Sequence, residues 1–301
     1  MTPRTFVEPP NWSGDELRSD RDVAEQLFRA QRKAEGPQAF AQWYRQAEPQ
    51  VRNALSVTQD LRHVTEVALA VDAELWQCLR YVCGHPISEE DLWTMIGCSK
   101  SKRMRPEFAA DAAEIISLVI DSVRFPWVED GRDPSATELE AAVLATTCLL
   151  AHERLRTHRR MTASVGQEAA VAAVLEAAGF RHVESRDAVW LADDMDRGAY
   201  ARERKVAGAK CDVPVRLRDG RLLLLECKVS NGPKNGWKRL LRETAGKREK
   251  WRNRFGDQAI TGAVVAGVFD LSCLHGAQAD RVCLFWQHNL RPLHAFVSSA
   301  T

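Results

Sequence analysis

Four consecutive leucines, Leu222 to Leu225, run straight into Glu226-Cys227-Lys228. A surface hairpin would alternate apolar and polar residues. An apolar run without alternation predicts a strand buried on both faces, near the middle of a sheet. A second β-type run precedes it, Cys211 to Leu217, and Asp219-Gly220 supplies the turn between them. Successive side chains on a strand point to opposite faces. Glu226 and Lys228 therefore share one face, and Cys227 shares the other with Leu225 and Leu223.

The spacing of Asp212 and Glu226 is a parity test. A two-residue loop at Asp219-Gly220 would pair Asp212 with Cys227 and separate the carboxylates. A three-residue loop, Arg218 to Gly220, pairs Asp212 with Glu226, and glycine at its third position suits the left-handed conformation that such a loop ends in. The three-residue loop is predicted. Directly opposite Cβ atoms then lie about 5 Å apart. Two carboxylates at that range resist joint ionisation unless a cation intervenes. Mg²⁺ takes oxygen ligands of this kind. Lys228 beside them is placed to orient a water or to stabilise charge developing on a phosphate.

The 301 residues carry a net charge of +1, which says nothing about partners by itself. The distribution says more: residues 201–255 hold 17 Lys/Arg against 6 Asp/Glu. A basic stripe around a candidate metal site is the footprint of a polyanion binder. Eight cysteines without a C-x-x-C pair, behind a polar, Pro-rich N-terminus, predict reduced thiols and a cytoplasmic protein. Cys78, Cys83, His85 and Cys98 match no ordinary zinc spacing. No apolar run approaches the roughly 18 residues that would span a membrane.

The organisation read along the chain is an α-helical region over 1–160, forming a DNA cleft and a dimerisation surface, followed by an α/β core over 161–301. Ser13 and Glu16 form a capping box for a helix to about Lys33, which Gly36-Pro37 breaks. Pro49 opens a further stretch. Ser88 caps another helix start. Lys100, Lys102, Arg103 and Arg105 form a basic loop suited to phosphate or base contact. Helices are expected over 107–123, from Thr137 to about Arg160, and from Ser164 to Ala178. A strand is expected over 182–191, then an irregular polar stretch, the hairpin, a basic helix from Lys234 to Phe255, strands over 259–269 and 281–287, and a closing helix. That order predicts a three-layer α/β/α domain with a mixed sheet. Asn231, Lys234, Asn235, Lys238 and Arg239 fall closest to the carboxylates. The cations there suit phosphate contacts, and Asn235 and Arg239 have the side chains that read adenine and guanine.

The pattern Asp212-x13-Glu226-x-Lys228 resembles the catalytic core of the PD-(D/E)XK nucleases, with Cys211 where proline usually stands. Further segments are similar to the XamI family of type II restriction endonucleases. These are Pro10-Asn11-Trp12, Pro86-Ile87-Ser88-Glu89-Glu90-Asp91-Leu92, Arg124-Phe125-Pro126-Trp127-Val128, Gln167-Glu168 leading to Ala178-Gly179-Phe180, Glu226 to Asn231, Lys238-Arg239-Leu240 and Phe285-Trp286. The resemblance implies Mg²⁺-dependent cleavage of double-stranded DNA at a short palindromic site, GTCGAC in founding members, leaving 5′-phosphate and 3′-hydroxyl ends. It implies Asp212 and Glu226 as metal ligands, the backbone carbonyl of Cys227 and the helix residue Glu168 as further ones, and Lys228 as the catalytic lysine. A homodimer on the palindrome and a cognate DNA methyltransferase are the implied partners. A modification-dependent or structure-selective nuclease, or a non-catalytic DNA-binding protein on the same core, would carry many of the same features.

Overall fold

The computed structural model describes residues 6–72, 74–184 and 187–301. The chain divides into two compact units. One is Met1–Ala34 together with Arg160–Thr301, and the other is Glu35–Arg159. The chain passes between them inside two long helices, Gly14–Val57 and Ala136–Ala177.

This differs from a single boundary at residue 160, because the described residues up to Ala34 group with the sheet. Trp12 explains why. Its indole Nε1 donates to the Leu284 carbonyl at 2.8 Å, and its backbone N–H and C=O both bond the Gln278 amide. Leu17 and Ala24 then bury into a cluster with Leu240, Ala263, Val265, Leu274 and Trp286. The helix starts as expected, with the Ser13 hydroxyl and N–H both on Glu16. Gly36 breaks it at φ 50°, ψ −165°. Pro49 does not, since Ala47, Val51, Ala54 and Leu55 keep one helical stripe buried past it.

Among the described residues, the regular structure of the 35–159 unit is helical but for an isolated bridge between Cys83 and Ile120. Its core holds Trp76 and Trp93 edge to face at 5.0 Å, with Phe125 and Trp127 also fully buried. Arg124-Phe125-Pro126-Trp127 is structural here. The Arg124 guanidinium ties Asp121 to the Tyr81 and Cys83 carbonyls, and the Trp127 indole donates to Asp60 O at 2.8 Å.

In the other unit the strands, numbered along the chain, are β1 (Arg181–His182), β2 (Ala199–Tyr200), β3 (Arg204–Val206), β4 (Ala209–Cys211), β5 (Val213–Arg216), β6 (Leu222–Asn231), β7 (Ala259–Val268) and β8 (Val282–Trp286). Six of them form a mixed sheet in the order β1-β2-β5-β6-β7-β8, and β3 and β4 pair separately. Strands β6, β7 and β8 run parallel, and β5 is antiparallel to β6. The parallel crossovers carry the helical segment 233–255 and the helix Leu271–Ala279. Leu240 and Leu274 pack with Ala263 and Val265 on one face of β7. Val171, Ala172 and Leu175, with Leu293, Phe296 and Val297 of the last helix, pack with Val264 and Phe285 on the other. Helices thus cover both sides of a mixed α/β sheet.

Three expectations change. The helices expected to part near residue 160 are one helix to Ala177, because Met161, Thr162 and Ala163 between them include no proline or glycine to break it. The strand expected over 182–191 is only Arg181–His182, plus a bridge from Val189 to Val206; residues 185 and 186 of it lie outside the described residues. The polar stretch after it supplies β2, β3 and β4, strands of two or three residues, too short to show a period. Among the described residues no helix is long and apolar enough to cross a membrane.

Candidate active site

The hairpin has the predicted register. Val213 pairs with Leu225 and Arg216 with Leu222. Leu217 N–H reaches Arg221 O at 2.9 Å, which leaves Arg218, Asp219 and Gly220 as the loop. Gly220 takes φ 99°, a conformation that side chains oppose. One step beyond Val213 and Leu225, the same register sets Asp212 opposite Glu226. The leucines split by face: Leu222 and Leu224 pack with Trp251, while Leu223, Leu225 and Cys227 pack with Val171, Val264 and Phe285.

Glu226 is completely buried, Lys228 is 8% exposed and Asp212 is partly buried. Lys228 Nζ lies 2.8 Å from Glu226 Oε2 and 3.3 Å from Asp212 Oδ2, bridging the two. Asp212 Oδ2 also accepts the Cys227 N–H at 2.8 Å. Burial alone would pull the Lys228 ammonium down, but Glu226 and Asp212 outweigh it and hold it above the ordinary lysine value. Glu226 Oε1 is buried without a hydrogen-bond partner. A bare carboxylate oxygen beside a fully used one needs an explanation.

Glu168 stands on the helix Ala136–Ala177, half-buried. Its Oε1 accepts the Ser164 hydroxyl at 3.1 Å. Burial pushes its carboxyl up, and the charge on Asp212 adds to the rise. It does not close on Asp212 and Glu226: among the described residues no three His, Cys, Asp or Glu groups converge as a metal cluster. Burial also drives the Cys211 and Cys227 thiols up, toward the neutral form.

The basic residues fall into two sets. Asn231 ends β6, exposed, with Oδ1 3.4 Å from Arg32 Nη2. Lys234, Asn235 and Lys238 are exposed on the segment that follows, which runs as Pro233–Trp237, a wide-turned π stretch over Lys238–Thr244, and Ala245–Phe255. Arg239 turns back, its Nη1 on the Val229 carbonyl at 2.8 Å. Lys100, Lys102, Arg103 and Arg105 lie in the helical unit. There Lys100 pairs with Glu89, and Arg105 lies 4.5 Å over the Phe108 ring.

Lys247 is the residue that sequence reasoning passed over. Its Nζ lies 2.5 Å from Glu226 Oε2. Leu240, Thr244 and Trp251 are buried; spaced four and seven apart, they mark the sheet side of this segment, and Lys247 stands in the same row. That row was the available signal, hidden in a basic helix whose cations were read together as suited to phosphate contacts.

At the far end of the strands, Ala259 to Thr261 help line a cleft of about 890 Å³ with Phe6, Arg221, Arg248 and Arg252. Glu226 pairs with Ala263, further along β7, and is not among the lining residues.

The family model for the XamI restriction endonuclease matches residues 59–286. The type II restriction enzyme XamI of Xanthomonas campestris pv. amaranthicola is 33% identical over 260 residues, which cover 84% of this chain and 94% of that enzyme. No solved structure matches.

Proposed function

The chain belongs to the XamI restriction endonuclease family, and from that premise we propose that it cuts both strands of a short palindromic DNA site with Mg²⁺, on a PD-(D/E)XK core, leaving 5′-phosphate and 3′-hydroxyl ends. The observation that carries the reading is Lys228 bridging Asp212 and Glu226, which lie one step beyond the paired residues Val213 and Leu225 of adjacent strands. The donor set fits a hard divalent ion: two carboxylates and a main-chain carbonyl, with Glu226 Oε1 buried and free of donors. Asp212, Glu226 and the Cys227 carbonyl would hold the ion, with Glu168 as an outer member. Mg²⁺, when bound, supplies charge neutralisation at the scissile phosphate and acidifies a water.

The other steps belong to the chain. Lys228 keeps its proton, because both carboxylates favour the charged form, and its ammonium is placed to donate to the attacking oxygen or to a phosphate oxygen. Lys234 and Lys238, both exposed, would take flanking phosphates; Asn231, Asn235 and Arg239 are the candidates for base edges, and Lys100, Lys102, Arg103 and Arg105 for a second contact. A two-fold dimer is the simplest reader of a palindrome. A cognate methyltransferase would protect the host's own sites.

Digestion of unmethylated phage DNA, with Mg²⁺ and with EDTA, tests this. Discrete Mg²⁺-dependent fragments with ligatable 5′-phosphate ends are expected. A smear would replace site specificity with a structure-selective or nonspecific nuclease. Intact DNA that is nevertheless bound would move the protein to the modification-dependent or non-catalytic reading.

A further inference from the structure

The acidic pair holds more cation than a pair of metal ligands requires. Lys228 contacts both carboxylates, and Lys247 adds a second ammonium on the same Glu226 oxygen, Oε2. The four groups in direct contact are two carboxylates and two ammoniums, formally neutral. Glu226 Oε1 is left facing no donor. Lys247 reaches this point from the buried side of its helix, between Thr244 and Trp251, and only a quarter of its side chain is exposed. A lysine in such a row gives up hydration that it would keep on the outer face, so its contact with Glu226 must compensate.

We propose that Lys247 is a positioning residue that acts as the resident counter-cation of Glu226. It fixes Oε2, leaves Oε1 presented, and balances the charge of the site before substrate arrives. The proposal rests on the reading of Asp212 and Glu226 as metal ligands. A divalent ion entering a neutral, buried cluster builds up positive charge that water screens poorly. DNA brings phosphate charge that offsets it. Lys247 therefore makes metal and DNA binding depend on each other: the ion is held firmly only when a phosphate is present.

The test is calorimetric titration of Mg²⁺ alone into the DNA-free protein. K247M removes the charge and keeps most of the side-chain volume. K247Q, which keeps a polar group against Glu226, is titrated beside it, so that either folded variant carries the test. Both should bind Mg²⁺ about tenfold tighter than the parent protein, or more. K247R, which keeps the charge, should stay within about twofold of the parent, which a packing effect would not predict. Mg²⁺ affinity no tighter in K247M and K247Q than in the parent overturns the proposal. D212N separates the two levels. If D212N binds Mg²⁺ as the parent does, the acidic pair is not the metal site and both readings fall. If D212N loses Mg²⁺ while K247M leaves it unchanged, only the role of Lys247 falls.

Discussion

Two stretches of this chain are dense in lysine and arginine, and folding uses them differently. The loop at 99–105 is fastened by an apolar residue, Met104, at 3% exposure. Lys100 is paired with Glu89, Arg105 is stacked on Phe108, and Lys102 and Arg103 make no ion pair among the described residues. The segment 233–255 is fastened by Leu240, Thr244 and Trp251, and its cations go three ways: outward at Lys234 and Lys238, back to the main chain at Arg239, and inward to an acid at Lys247. Cations crowd the loop more tightly, four in the seven residues 99–105 against nine in the 23 residues 233–255; what decides their use is whether a buried carboxylate waits on the apolar side. Local composition locates cations, and only packing reveals which of them remain for a polyanion.

The largest effect expected comes from removing that carboxylate. Asp212→Ala or Glu226→Ala should lower cleavage by about three orders of magnitude or more, while mobility-shift binding through the exposed cations persists. Cleavage near the parental rate in either variant would detach the basic helix from the chemistry. Next is the anchor. Trp251→Ala should cost about 3–5 kcal/mol of stability in chemical denaturation, since its ring is fully buried and its indole donates to Val206 O at 3.0 Å. A cost under about 1 kcal/mol would mean that the segment is held by something other than its inward row.

Smaller effects separate the outward cations. Lys238→Ala should weaken DNA binding and reduce the slope of log affinity against log salt by about 0.9, the value for one phosphate contact. Arg239→Ala should change that slope less, because its guanidinium is already engaged with Val229 O. Equal slopes for the two variants would erase the distinction drawn between them. Smallest of all, Lys100→Ala should alter stability by less than about 1 kcal/mol, the range of an exposed ion pair. A larger loss of DNA affinity from Lys100→Ala than from Lys238→Ala would reverse the comparison and make the loop the principal contact.

The hairpin was legible in the sequence because its constraints are local. The leucine run requires burial on both faces, and the parity of Asp212 and Glu226 with a glycine at the loop end leaves one register. The caps at Ser13 and Ser88 were legible for the same reason; Ser88 Oγ accepts the Asp91 N–H at 3.0 Å. What escaped depends on distance along the chain. Trp12 bonds Leu284, 272 residues away, and nothing near Trp12 announces that the N-terminal helix joins the sheet. The contact of Lys247 with Glu226 was hidden because a lysine in a basic helix is ordinarily read as pointing outward. The unbroken helix over 136–177 was read as two because its composition changes near Arg160, and a change of composition is not a stop signal.

Strand β7 pairs with β6 to its end, and at Ser230 its partner is Gly267. Gly267 takes φ 87°, and a Cβ there would lie 2.1 Å from the Ser230 carbonyl oxygen, a backbone atom with no rotamer to escape into. Every single-nucleotide missense change of a glycine codon introduces a Cβ. This position is therefore closed to substitution one base at a time unless the paired ends of β6 and β7 move apart: the glycine sets how closely the two strands can run where β6 leaves the sheet for the basic segment.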